Sequence, residues 1–270
     1  MIDKFYFMIN QMKEGYVKSE LHNGIRTIGF FHPQSNSLPG KILEELAKGI
    51  HAAGLDDETK LVILRSGGEN LPAGKAGIFC AGASFDELVA IKNKDQGLKF
   101  FSGFANVINA MRHCPKFIIG RIHGKCVGGG VGLVAAMDYA IATESAEIKL
   151  SELAIGIGPF VVGPAVERKI GTSAFSQLAI DATTWRNADW AKRKGLFAEL
   201  HSSVEDMDES IRRLANTLLL SSPEAMSEMK KIFWKGTEHW DQLLIERAAI
   251  SGRLVLSEFT RNAIEKFKKK

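Results

Sequence analysis

The chain has 270 residues, 45% of them hydrophobic and 24% charged, with a net charge of +4. Length and composition suit one globular domain, or one domain with an appendage, that buries its core without disulfides. They exclude a disordered or fibrous chain, and so mild a charge does not demand nucleic acid, although it suits an anionic small ligand. Cys80, Cys114 and Cys126 form neither a CxxC pair nor a metal-ligand spacing, so a reduced, cytoplasmic chain without a metal is expected. The N-terminus carries an early acid and no signal-like apolar run, and no window reaches the roughly 18 uncharged apolar residues of a membrane helix.

In chain order, residues 16–21 and 25–31 flank His22-Asn23-Gly24, which predicts a hairpin. Ser37 is placed to cap a helix over 38–53, with Leu43, Leu46 and Ile50 on one face. Residues 61–64 read as a buried strand, and a glycine-rich loop over 66–77 is long enough to serve a site. Residues 78–88 move from strand to loop to helix, with Ser84 as N-cap and Glu87 three residues on, as in a capping box. An amphipathic helix over 98–112 places Phe100, Phe101, Phe104, Val107, Ile108 and Met111 inward and stops at Pro115. Strands are expected at 117–119 with Ile122, at 139–142 and at 148–150. From residue 161 helices dominate: 161–170, 174–180, 189–194, 205–220, 223–235 and one long helix over 240–267. This alternation followed by helices predicts an α/β fold with crossover connections. The C-terminal apolar stripe of Leu243, Leu244, Ala248, Ile250, Leu254, Leu256 and Phe259 must cover the core or a neighbouring subunit.

Three stretches are candidates for chemistry. In Cys80-Ala81-Gly82-Ala83-Ser84 a glycine turn opens a helix, and the Ala83 N–H is either an oxyanion donor or part of an ordinary strand-to-helix turn. Gly128-Gly129-Gly130, embedded in apolar sequence, signals tight packing or close approach to a ligand. Two such turns together can aim two N–H groups at one oxygen that gains charge. Glu152, in Leu150-Ser-Glu-Leu-Ala-Ile-Gly156-Ile-Gly158-Pro159, has no cation nearby in sequence. It reads as a general acid/base raised in pKa by an apolar pocket, or as a surface or capping carboxylate. His123 reads as a hydrogen-bonded structural histidine, Asp138 as a turn residue, and Asp86 and Glu87 as complements to a helix dipole. Gly156-Ile-Gly158 lacks the rest of a dinucleotide fingerprint. The basic tail of Lys266, Lys268, Lys269 and Lys270 lacks the interleaved aromatics of a nucleic-acid surface.

Four ordered blocks resemble the enoyl-CoA hydratase/isomerase (crotonase) family over nearly the whole chain. They are Phe79-Cys-Ala-Gly-Ala83-Ser-Phe-Asp-Glu-Leu, His123-Gly124…Gly128-Gly-Gly130…Asp138-Tyr-Ala-Ile-Ala142, Ser151-Glu152-Leu…Gly156-Ile…Pro159, and Asp189-Trp-Ala191…Gly195-Leu196. The resemblance implies a ClpP/crotonase-type spiral of ββα units over residues 1–204. It implies a helical C-terminal trimerisation region over 205–270, and a trimer or hexamer without nucleic-acid or membrane partners. It implies an acyl-CoA thioester substrate and no cofactor beyond the CoA that the substrate carries. The oxyanion hole would be the N–H groups of Ala83 and Gly129, and Glu152 would carry a proton at the α-carbon. Cys80, Ala81, Gly82, Gly128, Gly130, Gly132 and Pro159 would contact the substrate.

Two residues depart from the family pattern. Hydratases of the family typically carry a second glutamate two residues after the triple glycine, where this chain has Gly132. One carboxylate suffices to move a proton between α- and γ-carbons, so isomerisation is favoured on chemistry. Hydration of the methylglutaconyl type, with water held by other groups, is the alternative, and Asp86 or Glu87 could supply the second acid. A non-catalytic acyl-CoA-binding member is a further one. Ser84-Phe85-Asp86 stands where many relatives have Asp-hydrophobic-Lys, so the lysine that helps hold CoA phosphate is missing, with Lys75 or the C-terminal lysines of another subunit as substitutes.

Overall fold

The computed structural model describes residues 15–67 and 77–268. The expected loop over 66–77, with Lys75, lies almost wholly outside the described residues. The predicted hairpin forms as β1 (Tyr16–His22) and β2 (Ile25–Phe31). Asn23 and Gly24 both turn with positive φ, 48° and 82°, as a two-residue turn that matches strand twist requires.

Helix α1 (Gly40–Leu55) starts two residues later than the sequence predicts, and Ser37 does not cap it. Its Oγ pairs with His32 Nδ1 at 2.8 Å. The Gly40 N–H is taken instead by Glu87 Oε2 at 2.8 Å, from 47 positions further along the chain. Glu87 therefore does not complete the local capping box. It caps another helix, while Ser84 Oγ accepts the Glu87 N–H at 3.5 Å. β3 (Leu61–Ser66), β4 (Gly77–Cys80), α2 (Phe85–Ala90) and α3 (Lys94–His113) follow. α3 begins earlier than its apolar periodicity suggests because Asn93 Oδ1 caps the Gln96 N–H at 2.9 Å.

Next come β5 (Phe117–Ile122), β6 (Gly124–Val127), α4 (Gly129–Ala136), β7 (Tyr139–Thr143) and β8 (Glu147–Lys149). α5 (Gly163–Ile180) is broken at Gly171 (φ 79°, ψ 157°), so the two helices expected there are real. β9 (Arg186–Asn187), α6 (Ala188–Arg193), β10 (Glu199–His201), α7 (Val204–Leu219) and α8 (Pro223–Phe233) complete the body. The expected long last helix is instead α9 (Trp240–Leu254) and α10 (Glu258–Lys268). The break comes at Ser257, whose Oγ accepts the Thr260 N–H at 3.2 Å and restarts the helix in a new direction.

The strands build two sheets. The larger has the order β1-β2-β3-β5-β7-β10, and the smaller β4-β6-β8-β9. Apart from the β1–β2 hairpin and the β8–β9 pair, neighbours run parallel. From β3 to β8 successive strands alternate between the sheets, β5 passing to β6 through His123 alone. β6, β9 and β10 escape sequence reading because they are two to four residues long, too short for periodicity to register.

The main core lies between the sheets and α1, α3, α4 and α5, with Ile28, Phe30, Leu43, Phe79, Ile118 and Val134 wholly inaccessible. α7 covers the opposite face of the larger sheet, where Met207, Ile211 and Ala215 meet Leu61, Ile119 and Ile141. Burial of this kind contributes about 1.5–3 kcal/mol for each large side chain. The C-terminal stripe is split the same way: Leu244 and Ala248 are buried in the main core, where α9 lies on α3, while Phe259 is 67% exposed. Asp138 has the turn role expected of it. Its Oδ2 accepts the Ile118 N–H at 2.8 Å and pairs with the buried Lys230 at 2.8 Å, tying the α4–β7 turn to β5 and α8.

Candidate active site

Two glycine turns meet at the N-terminus of α4. Gly82 has φ +87°, and a Cβ there would lie 2.8 Å from Val127 O and 3.5 Å from Gly129 N. Only a residue without a side chain lets the first turn rest on the second. The turns are tied down at flanking groups: the Leu38 N–H donates to Gly82 O (2.7 Å), the Ser84 N–H to Leu38 O (3.3 Å) and the Gly128 N–H to Lys149 O (2.8 Å). The N–H groups of Ala83 and Gly129 take no part in these bonds. The Gly129 N–H opens α4, so it belongs to the orphan donors of a helix start, where the dipole favours negative charge.

Glu152 follows β8 and opens a short 3-10 turn, Leu153–Ile155. The turn is held by the Ile155 and Ile157 N–H groups, which both donate to the Glu152 carbonyl at 3.2 and 3.0 Å. Behind it, Gly156 (φ +81°) receives Phe259 and Thr260, so α10 braces the turn that carries Glu152. The carboxylate lies against the second glycine turn: a Cβ on Gly128 would be 3.0 Å from Glu152 Oε1. Oε2 is enclosed and has no hydrogen-bond partner among the described residues. Burial raises the pKa to about 7, opposed only by a weak bond from its own backbone. A carboxyl poised there exchanges protons readily at neutral pH.

Both turns and Glu152 line one cavity of about 60 Å³. Of the residues expected to meet a ligand, Ala81, Gly82, Ala83, Gly128, Gly129, Glu152 and Pro159 are in its wall. Cys80, Gly130 and Gly132 are not among the residues that line it. Cys80 and Gly130 pack on each other behind the turns, where a Cβ on Gly130 would lie 2.7 Å from Cys80 Cβ. The Cys80 thiol is pushed up to about 12 by burial and is no nucleophile. Gly132 faces α5, where a Cβ would lie 2.4 Å from Val162 Cγ1.

Neither Asp86 nor Glu87 enters the wall. Asp86 Oδ2 accepts from Gln34 Nε2 at 2.7 Å, and Glu87 is engaged at Gly40. Among the described wall residues Glu152 is the sole carboxylate. His123 is buried, but among the described residues both ring nitrogens lack hydrogen-bond partners, contrary to the expectation of a bonded structural histidine. Burial, with Arg121 and Arg65 nearby, lowers its pKa to about 4, so it is neutral. Sequence reasoning missed other residues of the wall, among them Phe101 and Phe104 from α3, Val162 ahead of α5, and Ser251 from α9. Ser251 alone left a signal, as a polar residue on a helix face that is otherwise apolar.

Paired sheets built from parallel ββα units, with a glycine-rich helix start facing a buried carboxylate, define a crotonase-fold protein. The chain belongs to the enoyl-CoA hydratase/isomerase family, whose model matches residues 20–266. Mouse mitochondrial methylglutaconyl-CoA hydratase is 30% identical over 224 residues, covering 81% of this chain and 68% of that protein. The peroxisomal Delta(3,5)-Delta(2,4)-dienoyl-CoA isomerase of Arabidopsis thaliana is 23% identical, covering 75% of this chain and 74% of its own. The crystal structure of an enoyl-CoA hydratase from Bacillus halodurans superposes with a TM-score of 0.83 at 20% identity, covering 93% of this chain and 99% of that one. Among the described residues no helix is long and apolar enough to cross a membrane, and no cluster of His, Cys, Asp or Glu is suited to a metal.

Proposed function

We propose that this acyl-CoA enzyme works through a thioester enolate with Glu152 as its single proton carrier, and that it isomerises enoyl-CoA. The observation that carries the reading is the buried Glu152 carboxylate beside Gly128, with Oε2 lacking a partner among the described residues, in one cavity with Ala83 and Gly129. In a 3-enoyl thioester bound with its carbonyl oxygen between the Ala83 and Gly129 N–H groups, ionised Glu152 removes a proton from the α-carbon. The electron pair moves into a dienolate whose oxygen carries the charge, and each N–H donor is worth roughly 3–4 kcal/mol in such a transition state. Protonated Glu152 then returns the proton to the γ-carbon, giving the 2-enoyl thioester. The base is regenerated and no co-reactant is consumed.

Hydration is the second reading, favoured by the likeness to a methylglutaconyl-CoA hydratase. It requires a water held by groups other than a second carboxylate. The test is steady-state turnover of 3-enoyl-, 2-enoyl- and 3-hydroxyacyl-CoA by wild type and Glu152→Gln. Interconversion of 3- and 2-enoyl-CoA that Glu152→Gln abolishes supports isomerisation. Water addition to 2-enoyl-CoA without migration of the double bond sinks it in favour of hydration. Inert thioesters that still bind indicate a non-catalytic acyl-CoA binder. We further propose a homotrimer or hexamer through the C-terminal helices, read by sedimentation velocity.

A further inference from the structure

The cavity says more about the acyl group than the reaction does. Its inner wall is carbon: Leu88 of α2, Phe101 and Phe104 of α3, and Val162 before α5. Ser151, Ser251 and Glu152 are the polar side chains of the described wall, which contains no Lys, Arg or His. A carboxylate entering such a space would lose its hydration without meeting a cation, and would share the cavity with the enclosed oxygen of Glu152.

Building on the catalytic reading above, we infer that the site selects an uncharged acyl chain and rejects chains ending in a carboxylate. Hydrocarbon walls discriminate weakly between methylene counts, but a buried charge with no partner is penalised strongly. Charge should therefore decide more than length.

The test compares three CoA thioesters on the purified full chain: pentenoyl-CoA, glutaconyl-CoA of equal length with a terminal carboxylate, and decenoyl-CoA. The expected kcat/KM for pentenoyl-CoA exceeds that for glutaconyl-CoA by more than about 10-fold, and decenoyl-CoA, which is longer but uncharged, also exceeds glutaconyl-CoA. A smaller ratio, or a glutaconyl-CoA value at or above that of either uncharged thioester, overturns the inference and leaves the enolate chemistry standing. If no thioester turns over, calorimetric Kd values for the same three must follow the same order. A chain that binds none of them overturns both the inference and the catalytic reading.

Discussion

The isopropyl group of Val162 fills the space that a side chain at position 132 would need, with Cγ1 2.4 Å from where a Cβ on Gly132 would stand. The missing acid at position 132 is thus matched by a residue packed into its place. Putting it back means displacing Val162. Gly132→Glu alone should destabilise the fold by about 1–3 kcal/mol through overpacking, read by denaturant unfolding, without gaining hydration of 2-enoyl-CoA. Gly132→Glu with Val162→Gly should recover part of the loss and gain measurable hydratase activity. Hydration by the single variant would show that the space is not limiting.

Glu152 should leave a pH signature. Its folded pKa of about 7 lies above the ordinary 4.5, so the folded chain binds more protons than the unfolded one between those values. Stability therefore falls as pH rises through that window. Glu152→Gln should be more stable than wild type by at most roughly 3 kcal/mol above pH 7, and by nothing below pH 4.5. The same substitution should lower kcat about 100- to 10,000-fold, while wild-type kcat/KM rises with pH to a midpoint near 7. Thermal melts across pH and pH–rate profiles read both.

Gly128 holds φ +51° with the Glu152 carboxylate beside it. Gly128→Ala forces a side chain into a strained backbone region and against Oε1. The expected stability loss is about 1–3 kcal/mol, and kcat should fall more than KM rises, because the reacting groups are displaced. Equal effects on substrates and stability alone would mean the turn is only structural.

His123 has the opposite sign. Its folded pKa of about 4 is below the ordinary 6.5, so the unfolded chain binds the extra proton. Wild-type stability is lost as pH falls through 6.5 toward 4, by at most roughly 3 kcal/mol. His123→Leu should flatten that acid limb in urea unfolding between pH 7 and 4. An unchanged limb would show that the imidazole finds a proton acceptor.

Much of this was legible in the residues because local chemistry dictates it. Asn23-Gly24 makes its hairpin, Ser84 caps its helix, and the spacing of Phe100, Phe101 and Phe104 gives their helix. The four ordered blocks lead to the family that the whole-chain match supports. Capping by Glu87 was not legible, since its partner, Gly40, is 47 positions away in the chain. The split of the last helix turns on one hydroxyl at Ser257, which periodicity does not register.

The sequence alone placed the glycine turns and Glu152 in order, because glycine content, apolar context and an isolated acid are local properties. Only the tertiary structure decided that the two turns touch and that Gly128 faces the carboxylate. It also decided that Cys80, Gly130 and Gly132 stand behind the wall while Val162 and Ser251 stand in it. Cavities form between segments distant in the chain, and the pKa of Glu152 follows from burial by such neighbours. Spacing along one strand or helix carries no record of either.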